Sequence, residues 1–194
     1  MGLKNDTNYI VSGLERSGTS MIMQILYAGG VPVAFDSSSR PPDKNNPKGY
    51  YELEGGKIIN KLMEGIFPFE KYKGKFIKIT SFGMRFLPKG KYKVIYTKRN
   101  IEEVLDSMEK MAKKKDDNRK EIKESFLKLD KLVQEMIRER RDIDHLFVNY
   151  NQIIKNPDKN IVEISDFIKE VKADLNKMIQ SVDLDLYRNR EMNF

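Results

Sequence analysis

Residues Gly13-Leu14-Glu15-Arg16-Ser17-Gly18-Thr19-Ser20 set a glycine at the start of a short loop and another near its end, with a guanidinium inside it and hydroxyls at its close. The apolar run Tyr9-Ile10-Val11 precedes them, and Met21, Ile22, Ile25 and Leu26 follow on one helical face. A strand, a glycine-bounded loop and a helix N-terminus in that order aim successive backbone N–H groups and the positive end of the helix at one point. Such a cradle suits a phosphate or sulfate. The spacing is that of a Walker A loop, but Thr19 stands where a nucleotide-hydrolysing loop carries the lysine that reaches the β- and γ-phosphates. The absence of that lysine, with Arg16 in the loop, predicts a phosphate-bearing donor other than ATP.

A second strand-to-helix junction lies at Val94-Ile95-Tyr96-Thr97-Lys98-Arg99-Asn100. Arg99 falls at the C-terminal end of the strand, where open α/β sheets bind ligands. Ser107 comes eight positions later, on the second turn of the helix that Asn100 caps, with Glu103 as the capping-box partner. An arginine fork beside a hydroxyl makes a site for a second phosphate. Alone, such an arginine is as often paired with a nearby carboxylate. With the first loop, it predicts a ligand carrying two separated phosphates.

These residues need a scaffold, and the rest of the sequence supplies its pattern. Apolar runs at Tyr9 to Ser12, Phe76 to Thr80, Val94 to Thr97 and Leu146 to Val148 alternate with amphipathic helical stretches. Helices are expected from Thr19 to Gly29-Gly30, from Gly55 to Met63, after Asn100, up to about Arg140, from Tyr150, and from Pro157. The pattern predicts one α/β domain over residues 1–194, a three-layer P-loop-type fold with a central, mostly parallel sheet flanked by helices. A long loop rich in turn formers runs from Asp36 to Gly49, and such loops are usually binding segments or lids.

Of the 194 residues, 34% are charged, the net charge is +7 and there is no cysteine. Disulfides, thiolate metal sites and a cysteine nucleophile are excluded. The apolar runs are far shorter than the roughly 20 residues that span a bilayer. Met1-Gly2-Leu3-Lys4-Asn5-Asp6 lacks the apolar core of a signal peptide, so the expected location is cytoplasmic. The lysines are scattered over helices rather than gathered with aromatics, and no nucleic-acid partner is expected.

Arg16-Ser17-Gly18-Thr19-Ser20 after a strand resembles the 5′-phosphosulfate loop of sulfotransferases, and Arg99 with Ser107 resembles their 3′-phosphate motif. Asn46-Pro47-Lys48-Gly49-Tyr50-Tyr51-Glu52, Val148 through Pro157 and Val182 through Arg190 are similar in order and position to segments of bacterial sulfotransferase-like proteins. The resemblance implies 3′-phosphoadenosine 5′-phosphosulfate (PAPS) as donor, 3′,5′-adenosine bisphosphate as product and no metal. Ser17, Gly18, Thr19 and Ser20 would hold the phosphosulfate, with Arg16 against the leaving phosphate. Arg99 and Ser107 would bind the 3′-phosphate, and Arg188 and Arg190 would fold back over the nucleotide or form a basic tail.

Transfer to a hydroxyl or amine also needs a base. Glu52, just past the long loop, is a candidate whose alternative role is to complement a helix dipole. Asp36 is a second candidate. The single histidine, His145, is expected to edge its strand. Glu15 is unusual in an anion cradle and is expected to turn outward or pair with a cation. The acceptor is a small molecule, carbohydrate or other hydroxyl-bearing compound. Two alternatives stay open: a nucleotide or small-molecule kinase on the same scaffold, and a non-catalytic module that binds an adenosine bisphosphate.

Overall fold

A computed structural model describes residues 2–115 and 117–183. Four strands, β1 (Asn8–Gly13), β2 (Phe76–Lys78), β3 (Tyr92–Lys98) and β4 (Ile143–Asn149), form one sheet in the order β2-β1-β3-β4. Every pairing is parallel, with Tyr9 opposite Phe76, Gly13 opposite Thr97 and Lys98 opposite Asn149. At the β2 edge, the Phe76 N–H donates to Pro32 O and its carbonyl accepts from Ala34 N, so Val33 bridges to Phe76.

Side chains alternate across the strands and both faces are apolar, as a parallel sheet covered on both sides requires. Tyr9, Val11, Phe76 and Ile95 pack with Ile22, Met23, Ile25 and Leu26 of α1 (Thr19–Ala28). Ile161 and Ile164 of α7 (Pro157–Phe167) and Met178 of α8 (Leu175–Gln180) complete that layer. On the opposite face, Ile10, Ile77, Val94 and Tyr96 meet α2 (Ile58–Met63), α3 (Ser81–Met84) and α5 (Arg119–Glu139). Helix α4 (Ile101–Ala112) follows β3, and α6 (Tyr150–Lys155) follows β4. The result is the three-layer α/β architecture expected from the alternation of patterns.

The differences are local. The helix expected from Gly55 is instead a 3₁₀ turn over Glu54–Gly56 followed by α2, because Gly55 has φ 62° and breaks the helical path. Strand β4 begins three residues before the apolar run at Leu146, since its pairing with β3 continues through Asp144 and Ile143. Helices α3 and α8 are too short to show a helical period in sequence.

The chain leaves β1 toward β2 on one side, whereas β3 connects to β4 on the other. That reversal opens a crevice at the carboxyl ends of β1 and β3. Gly13 and Thr97, paired in register, form its floor. Gly18 turns the chain into α1 at φ 106°, and a Cβ there would lie 2.3 Å from Tyr150 Cδ2. Gly18→Ala is therefore expected to cost about 1–3 kcal/mol in urea unfolding, through backbone strain and displacement of the Tyr150 ring.

Candidate active site

The loop after β1 is held down from beneath. Ser17 is 1% exposed, and its hydroxyl shares a 2.7 Å hydrogen bond with Thr97 Oγ1, which itself donates to Ser12 O. The Ser17 N–H donates to Leu14 O. Ser17 thus ties the loop to β3, while Arg16, Gly18, Thr19 and Ser20 line the crevice above it. Helix α1 starts without a side-chain cap, so the positive end of its dipole faces that space.

The second junction meets the first directly. Arg99 Nη1 donates to the Arg16 carbonyl at 3.1 Å, and Arg16 Nε donates to Ser107 Oγ at 2.9 Å. Arg99 Nε donates to Glu103 Oε2 at 2.8 Å, and Asn151 Nδ2 holds the other Glu103 oxygen at 2.7 Å. The expected capping glutamate therefore fastens the strand-end arginine. The Arg99 guanidinium also lies 4.2 Å from the centre of the Tyr150 ring. Arg16 adopts the left-handed conformation at φ 65°. Burial pulls its guanidinium below the ordinary value, and the nearby positive Arg99 and Arg40 add to that effect. Concentrated, partly desolvated positive charge is a setting in which an anion binds strongly.

A third group of charges lies on the β2 side. Lys78, inside the apolar run Phe76-Ile77-Lys78-Ile79, is almost wholly buried and pairs with Glu52 Oε1 at 2.8 Å. Its ammonium also donates to Ser20 Oγ at 3.2 Å and to the Tyr50 carbonyl. Arg40 Nη1 reaches the other Glu52 oxygen at 2.6 Å, and its guanidinium lies 3.7 Å from the centre of the Tyr50 ring. Burial draws the Lys78 ammonium down to about 8, with Glu52 opposing the shift. Burial would raise the Glu52 carboxyl, but Lys78 and Arg40 outweigh it and keep Glu52 below its ordinary value. Tyr51 and Glu54 around it hold positive φ of 55° and 49°. Such strained backbone collects at functional sites.

These groups enclose one cavity of about 340 Å³, which Gln24, Lys110 and Tyr150 also border. The long loop closes over it: Gln24 Nε2 holds Asn46 Oδ1 and Gly49 O, Tyr50 OH donates to Asp43, and Lys48 pairs with Asp183. Glu15 is exposed at the rim. Tyr51 turns away to pack with Tyr27 and Phe35. Asp36 does not line the cavity; its carboxylate accepts from the backbone N–H groups of Ser38 and Ser39 and from the Ser38 hydroxyl. His145 packs on Phe147 in β4. Arg188 and Arg190 lie outside the described residues. Among the described residues, no cluster of His, Cys, Asp and Glu suits a metal, and no helix is long and apolar enough to cross a membrane.

Lys78 escaped the sequence reading. Its only signal was a charged residue inside an apolar strand near the sheet's carboxyl end. Arg40 gave none, because its partner Glu52 lies across a loop of turn formers.

The solved sulfotransferase domain of the Synechococcus PCC 7002 olefin synthase aligns with a TM-score of 0.57 at 16% identity, covering 94% of this chain and 78% of that one. The sulfotransferase domain from the curacin biosynthetic pathway aligns at 0.48 and 13% identity, over 90% of this chain and 77% of that one. An unliganded sugar kinase from Janibacter sp. HTCC2649 aligns at 0.46 and 12% identity, over 84% of this chain and 95% of that one. The first likeness shows shared fold alone. No curated protein matches. The sulfotransferase domain family matches residues 6–194, nearly the whole sequence, and the chain belongs to that family.

Proposed function

We propose that the protein transfers a sulfuryl group from PAPS to the hydroxyl or amine of an acceptor. The observation that carries this reading is the meeting of two anion-binding junctions with a buried Lys78–Glu52 pair in one crevice. The 3′-phosphate lies against Arg99 and Ser107, joined by Arg16, whose hydrogen bond to Ser107 favours this end over the leaving phosphate expected for it. The 5′-phosphosulfate lies over Gly18, Thr19 and Ser20 at the start of α1. Ser17 contributes through the loop shape it enforces.

At the sulfuryl end, Glu52 takes the proton as the acceptor oxygen attacks sulfur. A new O–S bond forms, and the bond from sulfur to the bridging phosphate oxygen breaks, its electron pair leaving on adenosine 3′,5′-bisphosphate. The Lys78 ammonium, beside Ser20, stabilises the charge that grows there, the kind of term that reaches about 3 kcal/mol for one well-placed donor. Glu52 is the base rather than Asp36 because it lines the cavity, whereas Asp36 is engaged in its own turn.

In calorimetric titration, 3′,5′-adenosine bisphosphate is expected to bind, and ATP with Mg²⁺ is not. The opposite result selects the kinase reading. Arg99→Ala should weaken bisphosphate binding about 10- to 100-fold, the value of a charged hydrogen bond. Glu52→Gln should lower kcat about 10²- to 10⁴-fold without weakening bisphosphate binding, since it leaves Lys78 and Arg40 without their shared carboxylate. With Glu52 ionised and Lys78 protonated, kcat/KM is expected to hold through neutral pH up to about 8 and then fall as the ammonium is lost. Lys78→Arg should move that falling limb to higher pH, and an unmoved limb would remove Lys78 from this role.

A further inference from the structure

Beyond the Lys78–Glu52 pair the cavity wall changes character. Gly55, Gly56, Thr80 and Ile59 line it there, and Ile59 belongs to α2. Helices α2 and α3 meet at Gly83, where a Cβ would stand 2.8 Å from Ile59 Cδ1 and 3.2 Å from Leu62 Cδ1. The seam therefore starts in the cavity and runs out to the surface. Met63, one turn beyond Ile59 on the same helix face, is 53% exposed, and Phe82, beside Gly83, is 39% exposed. Phe86 packs on Phe82 at 5.4 Å between ring centres. Ile59 thus joins the cavity wall to the α2–α3 junction, beside which Met63 and Phe82 add exposed apolar surface.

We infer that this seam takes the apolar tail of the acceptor, which is a long-chain alcohol rather than a sugar. The inference rests on the sulfuryl-transfer reading of the cavity and adds the substrate class. A space of about 340 Å³ stands near the lower end for one ligand, so a nucleotide fills most of it and the acceptor extends outward. The outward path next to the base is the Ile59–Met63–Phe82 seam. The hydroxyl sits at Glu52, and the chain lies along α2 and α3. Arg85, with its guanidinium 5.4 Å from the centre of the Phe82 ring, sits on the same surface and suits a polar or anionic group at the far end of the chain.

The test is sulfation of ethanol, butanol, hexanol, octanol, decanol and glucose by the full chain with PAPS, read as release of adenosine bisphosphate. KM is expected to fall about three- to fourfold for each methylene that reaches the seam. Met63→Ser with Phe82→Ser should flatten that dependence and leave the bisphosphate affinity unaltered. A second readout is the ¹³C-methyl signal of Met63, assigned by its loss in Met63→Ser, which decanol should shift. A flat wild-type series, glucose as the better acceptor, or a slope that survives the double variant overturns the inference while the donor reading stands. Failure of the bisphosphate to bind, with no alcohol sulfated, overturns the donor reading instead. In that case the Met63 signal still decides: a shift keeps the apolar site, and an unmoved signal removes it.

Discussion

The site depends on a strap between two neighbouring strand ends. Arg99, at the end of β3, donates to the carbonyl of Arg16, in the loop that follows β1. Ser17 and Thr97 join the same two segments from below. The carbonyl belongs to a residue in the left-handed conformation, so the guanidinium stabilises a backbone state that arginine seldom adopts. The arginine is itself fixed by Glu103 and Asn151. Long-range order in the crevice comes from these few polar bonds, and the apolar cores beneath supply the rigidity.

Burying a lysine is expensive unless its charge is met, and Lys78 is met on several sides at once. Glu52 supplies the opposite charge, Tyr50 a carbonyl, and Ser20 a hydroxyl that in turn donates a hydrogen bond to that carbonyl. Glu52 is shared with Arg40, so a loop residue and a strand residue compete for one carboxylate. Removing Glu52's charge would leave two cations facing each other in a desolvated space. This pairing makes the loop and the sheet a single electrostatic unit.

Much of this was legible in the sequence. The strand-loop-helix order around Gly13 to Ser20 and the Arg99–Ser107 spacing are local patterns, and local patterns survive folding. All four strands follow from short apolar runs, although β2 is shorter at its end than its run. What escaped is non-local. Ser17 reads as an exposed donor yet turns inward, because Thr97 sits opposite Gly13 in the register. Glu103 reads as a cap, but Arg99 and Asn151 stand close enough to claim its oxygens. Lys78 has no local signal beyond its place inside an apolar run, and only the tertiary meeting of the β2 end with Glu52 and Ser20 gives it partners.

Strand β2 is three residues long and lies last in the sheet, a poor place to anchor a buried cation. Main-chain bonds from Pro32 and Ala34 to Phe76 close its outer side, so the strand is gripped from both directions. A proline and one bridge thus do the work of a fifth strand. They leave Phe76 no backbone group with which to recruit a foreign chain. The same clasp fixes the strand from which the buried ammonium reaches Glu52, so that ion pair is braced in part by a segment more than forty residues upstream.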